Sequence, residues 1–136
     1  MATSPVVVPG ALTQLVTGFV ADATLTTAQV LFTVPNGMRA VVTAVVQRNA
    51  SAAVNAATTW SAGFDASAVN VFPAGQTTAQ SLQASAQYSF TQAPAIASTT
   101  SPFVGQGGQS LSLKYAGTLT SNGKVVVDVI GYLEAL

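Results

Sequence analysis

Two stretches of the chain are apolar on both faces of a strand. Over residues 124–133, Val125, Val127, Val129 and Leu133 alternate with Val126, Asp128, Ile130 and Tyr132. Successive side chains of a strand point to opposite sides, so each set occupies one face. β-Branched residues fit such a pleated, covered surface. The pattern predicts an interior strand covered on both sides, or nearly so, around which the chain is organised. Residues 38–47, containing Arg-Ala-Val-Val-Thr-Ala-Val-Val, repeat it. Over residues 109–115, Leu111 and Leu113 alternate with polar Ser110, Ser112 and Lys114.

The remaining elements are short. Strand patterns run over 29–34, over 58–65 with Trp60 and Phe64, and over 68–72. The stretch 81–91, with Leu82, Tyr88 and Phe90, reads as two short strands or one broken one. A strand-like pattern with Leu12, Val16 and Phe19 precedes them. Pro35-Asn36-Gly37 and Pro73-Ala74-Gly75 predict turns, because proline presets φ at the first corner while Asn and Gly tolerate positive φ. Phe103 to Gly108 predicts a third turn, and Ser121-Asn122-Gly123 joins the last hairpin. Residues 49–57 and 94–102 read as loops rich in small residues. About eight short strands, turns roughly every ten residues and no helix predict an all-β sandwich or barrel. Residues 11–136 then form one domain. Residues 1–10 form an extended arm, in which Pro5 and Pro9 bar a helix and Val6, Val7 and Val8 need burial on the domain or on a neighbour.

Composition changes what this sandwich can do. Hydrophobic residues make up 49% of the chain, yet charged residues make up only 6%, against about 25% in an ordinary soluble domain. The polar load falls on 17 Thr, 12 Ser, 10 Gln and 5 Asn. Such a surface is hydrophilic but almost without a field. It lacks the repulsion that keeps copies apart and suits a protein that lives packed against neighbours. Arg39, Arg48, Lys114 and Lys124 are scattered, which argues against a nucleic-acid partner. No apolar run approaches the ~20 residues of a membrane span. The first ten residues lack the basic and apolar regions of a secretory signal. The absence of Cys fits synthesis in the cytoplasm.

Little in the chain announces chemistry. It has no His and no Cys, which removes the commonest general base, the thiol nucleophile and most transition-metal sites. The acids Asp22, Asp65, Asp128 and Glu134 are dispersed, and no loop is acidic enough for a hard cation. Asp65 with Asp128 could form a glycosidase-type pair. The favoured reading places Asp65 in a loop and pairs Asp128 with Arg39 or Arg48. Gly105-Gln106-Gly107-Gly108 lacks the spacing, the lysine and the following helix of a phosphate loop. Asn49-Ala50-Ser51 matches a glycosylation sequon, a short motif that often arises by accident. Trp60 with Tyr88 or Tyr115 could stack on a sugar, but a lone Trp in a small sandwich is more often core. No enzymatic activity, cofactor or metal is expected.

Two segments together resemble a known group. Phe32-Thr33-Val34-Pro35-Asn36-Gly37-Met38-Arg39-Ala40, then Leu111 to Gly117 and Val125 to Tyr132, are similar to the strand-and-turn chemistry of small jelly-roll structural proteins of tailed-bacteriophage virions, among them the capsid decoration or cement proteins. The resemblance implies a jelly-roll-like antiparallel sandwich that binds the outer capsid surface, after synthesis in the host cytoplasm, and ties coat subunits together. It implies the major capsid protein as partner, self-association as a dimer or trimer, and no nucleic acid or membrane. In such a protein Pro5, Val6, Val7, Val8 and Pro9 would be the partner contact. The alternative is a carbohydrate- or receptor-binding module of a tail or head fibre.

Overall fold

The computed structural model describes residues 13–51, 58–77, 88–92, 104–117 and 123–136. The predicted arm, with Pro5 through Pro9, lies outside them, as do residues 52–57, 93–102 and the Ser121-Asn122 part of the last turn. Nine strands are present: β1 (Thr13–Asp22), β2 (Gln29–Thr33), β3 (Met38–Arg48), β4 (Thr59–Gly63), β5 (Phe72–Thr77), β6 (Tyr88–Gln92), β7 (Val104–Gln106), β8 (Ser110–Ala116) and β9 (Lys124–Ala135). No helix occurs among the described residues.

The strands form two antiparallel sheets. The first has the order β1-β9-β3-β6, with β7 also paired to β3 beyond β6; the second has the order β2-β8-β4-β5. The chain thus crosses between sheets after β1, β2, β3, β5, β7 and β8. Apart from the added β7, this alternation is that of a jelly roll. The two-sided strands predicted at 38–47 and 124–133 are the central pair of the first sheet, β3 and β9.

The core is closed by one face of each sheet. Val125, Val127 and Val129 of β9, with Val42 and Val45 of β3, are at most 1% exposed. Opposite them lie Leu111, Leu113 and Tyr115 of β8, Trp60 of β4 and Phe72 of β5, equally buried. Trp60 packs on Phe72 with ring centroids 5.1 Å apart. Burial of such side chains, each contributing roughly 1.5–3 kcal/mol, is what holds the sheets together.

The predicted turn at Pro35-Asn36-Gly37 forms: Gly37 takes φ 78°, and the Met38 amide donates to the Pro35 carbonyl at 3.2 Å. Three other expectations need correcting. Residues 68–71 are not a strand but the end of the β4–β5 loop, where Ala68 takes φ 54°. Pro73-Ala74-Gly75 is not a turn but lies within β5. That strand is the sheet's edge, where the missing proline N–H disturbs no ladder. Gly75, at φ 91°, accompanies a register shift between Trp60 and Ala62 that absorbs the local kink. Finally, part of the third predicted turn, Val104–Gln106, is the short strand β7 paired with Arg39–Val41; the turn itself is confined to Gly107-Gly108.

Candidate functional site

The described residues include every charged side chain, seven on strands and Asp65 in the β4–β5 loop, because the undescribed segments contain no Asp, Glu, Lys or Arg. Six of the eight form three ion pairs, all across the first sheet: Lys124 with Asp22, Arg48 with Asp128, and Arg39 with Glu134. Each is set by register, since Asp22 lies opposite Lys124 and Arg39 opposite Glu134. The expected partner of Asp128 is therefore Arg48, while Arg39 is engaged by Glu134. Asp65 accepts the amides of Val69 at 2.8 Å and Asn70 at 3.1 Å and so organises the β4–β5 loop. Lys114, exposed on β8, has no ion-pair partner among the described residues.

Asp128 is the most deeply placed acid, 5% exposed. β1 carries a bulge between Val16 and Phe19, and Gly18 takes φ 70° there, a conformation that favours glycine. The bulge turns the Gly18 amide toward Asp128 Oδ1 at 2.8 Å. Asp128 also accepts from Arg48 Nε at 2.8 Å. One carboxylate on β9 thus joins its neighbours on both sides. The hydrogen bond from Arg48 to Asp128 raises the Arg48 pKa further still.

Asp65 and Asp128 are not brought together: one follows β4 in the second sheet, the other faces outward from the first. Trp60 and Tyr115 are each 1% exposed and belong to the core, so the two do not make a surface stacking platform. The Tyr115 hydroxyl donates to Gln47 Oε1 at 2.7 Å, and burial pushes its pKa up. No group of three acids converges among the described residues. A cleft of about 110 Å³ on the outer face of the second sheet is lined by Thr59, Ser61, Ala74, Lys114 and Ala116. It offers one cation and no acid or base to work with it.

The outer face of the first sheet is the unusual surface. An antiparallel sheet that packs on one side usually presents polar residues on the other. Here Val126, Ile130 and Tyr132 of β9 and Val41 and Val46 of β3, all half-buried, share the outward face with the ion pairs Arg48–Asp128 and Arg39–Glu134. At the edges, Val20 of β1 and Phe90 of β6 are 61% and 51% exposed. This is the second apolar face that the sequence pattern predicted for β3 and β9. The expected cover on both sides is not found among the described residues: the opposite sheet covers the inner face alone and leaves the outer one half-buried. Sequence periodicity had identified the residues of β3 and β9; Val20 and Phe90, on edge strands, became visible only through pairing. No helix among the described residues is long and apolar enough to cross a membrane.

No family model matches the chain, and neither a curated protein nor a solved structure is significantly similar to it.

Proposed function

We propose that this chain is a non-enzymatic virion structural protein: a decoration, or cement, protein that binds the outer surface of a bacteriophage capsid and ties coat subunits together. The observation that carries the reading is the charge inventory. Seven of the eight charged side chains are engaged in holding strands and one loop, which leaves few to attract a charged ligand. Among the described residues, what remains on the outside is mostly neutral polar surface and one largely apolar sheet face with its ion pairs closed. A large exposed apolar face marks contact with another protein. The Pro5-Val6-Val7-Val8-Pro9 segment adds three valines that, hidden at a contact, contribute about 1.5–3 kcal/mol each before ordering costs.

Attachment driven by burial and backbone hydrogen bonds is insensitive to salt, whereas exposed ion pairs are screened. The test is readdition of purified protein to particles that lack it. Binding in high salt, lost on deletion of Met1 to Gly10 while the domain stays folded, is the expected outcome. Stripping by moderate salt, or full binding by the truncated chain, would reject this mode of attachment.

A further inference from the structure

We infer that the outer face of the β1-β9-β3-β6 sheet is an interface between two copies of this chain, related by a two-fold axis parallel to the strands and lying over the junction of β9 and β3. The inference concerns the isolated protein and does not rest on the capsid reading.

Three features select a second copy as the occupant. The first is charge. The face holds Arg48 on β3 and Asp128 on β9, diagonal neighbours across the central junction that form one ion pair. A two-fold axis along that junction exchanges the two sides, so Arg48 of one copy lies over the Val126 row of its mate, one row from the mate's Asp128. The pair is already closed within each copy, so the face brings no unpaired charge from Arg48 or Asp128 to an isologous contact. With no net charge on the chain, no long-range repulsion opposes the encounter.

The second feature is the position of the large exposed side chains. Val20 lies in the row Val20–Val126–Arg48, and Phe90 in the adjacent row Asp128–Val46–Phe90. They occupy opposite edges of the sheet, Val20 on β1 and Phe90 on the side of β6. The same axis carries the β1 edge of one copy over the β6 edge of the other. Val20 then meets the mate's Phe90, once on each side of the axis, with Val46 and Val126 between them. The usual ~30° angle between packed sheets takes up about 4 Å of the roughly 6.8 Å offset of one row, and the reach of the Phe90 side chain covers the rest.

The third is area. Four strands about 4.8 Å apart and about ten residues long, at about 3.4 Å per residue, present a face on the order of 650 Å² before side-chain relief is counted. A stable dimer needs roughly 800 Å² per partner, so the face is of the right order. Because β6 and β7 together line β3, the fourth column extends along most of the sheet.

The absence of cysteine allows a direct test. Copies carrying Val20→Cys are mixed with copies carrying Phe90→Cys under mild oxidation, and the full chain is weighed by sedimentation in parallel. A dimer in solution, with the mixed Val20–Phe90 disulfide favoured over either homodisulfide, is expected. V20E and F90E should each weaken the dimer at least about tenfold, since every substitution occurs twice in an isologous contact, and should leave the circular dichroism unchanged. A chain that is monomeric at hundreds of micromolar overturns the inference. So does a dimer in which homodisulfides dominate or that V20E and F90E leave intact. A chain that dimerises only after removal of Met1 to Gly10 would assign the face to its own arm, and would equally overturn it.

Discussion

β8 and β9 are interior strands of the two sheets in one sandwich, and they finish their outer faces in opposite ways. On β8 the inward Leu111, Leu113 and Tyr115 alternate with outward Ser110, Ser112 and Lys114. On β9 the inward Val125, Val127 and Val129 alternate with Val126, Asp128 and Ile130. Both solutions close the same core, so closure alone does not require valine on the outside. The β8 pattern meets water; the β9 pattern meets it poorly. The difference separates what closing the core needs from what it does not, and it marks the surface proposed above as the contact face.

The sharpest way to break this contrast is to place one charge on each side of β9. Val127→Asp buries an unpaired carboxylate between the sheets, at a cost comparable to the ~5–15 kcal/mol total stability of a domain. Loss of the cooperative thermal transition is expected. Val126→Asp, one residue away on the outer face, should cost about 1 kcal/mol or less and keep the strand signature in far-UV circular dichroism, while weakening self-association. Equal damage from both would mean that the two faces are equally covered.

The central ion pair comes next. Asp128→Ala leaves the Gly18 amide and Arg48 without their acceptor, and should cost roughly 2–3 kcal/mol in denaturant unfolding. Asp128→Asn keeps an oxygen for the Gly18 amide and should lose less. Gly131→Ala probes how tightly β9 lies on β3, since an added Cβ would stand 2.1 Å from the Val41 carbonyl oxygen. A loss of about 1–3 kcal/mol is expected, with the strand forced away from its neighbour.

The smallest effect belongs to the rim. The side-chain hydrogen bond from Lys124, helped by Thr24, holds the Asp22 carboxyl down to about 2. The unfolded value is about 3.9, so the contribution of Asp22 is complete above that pH and disappears as pH falls through about 2. Because this pair is exposed, the effect is small. The gap in urea midpoint between the native chain and Asp22→Asn should narrow from pH 5 to pH 2; a gap independent of pH would show that the pair does nothing for stability.

Much of this architecture was legible along the chain because strand periodicity is local. The two-sided strands, the alternation of β8 and the Pro35-Asn36-Gly37 turn depend on residues two to four apart, and each appears where the pattern puts it. The β5 strand was not legible, because Pro73 and Gly75 are turn residues by composition. Only the edge position of the strand lets them sit within it as a bulge. The partner of Asp128 was half legible: a basic residue was required, but Arg39 and Arg48 lie on the same face of β3, nine residues apart. Register across the β3–β9 ladder chose between them.

The sequence by itself determined that the protein is all β, that β3 and β9 are interior strands apolar on both faces, and that its surface is nearly free of charge. These follow from side-chain chemistry repeated at a period of two. The tertiary structure decided which apolar face of β9 became core, since the period is the same on both sides and only the position of the second sheet distinguishes them. It also decided that Trp60 and Tyr115 pack inward and that Val20 and Phe90, distant in the chain, flank one open face. Those outcomes rest on pairings between residues tens of positions apart, where no local pattern reaches.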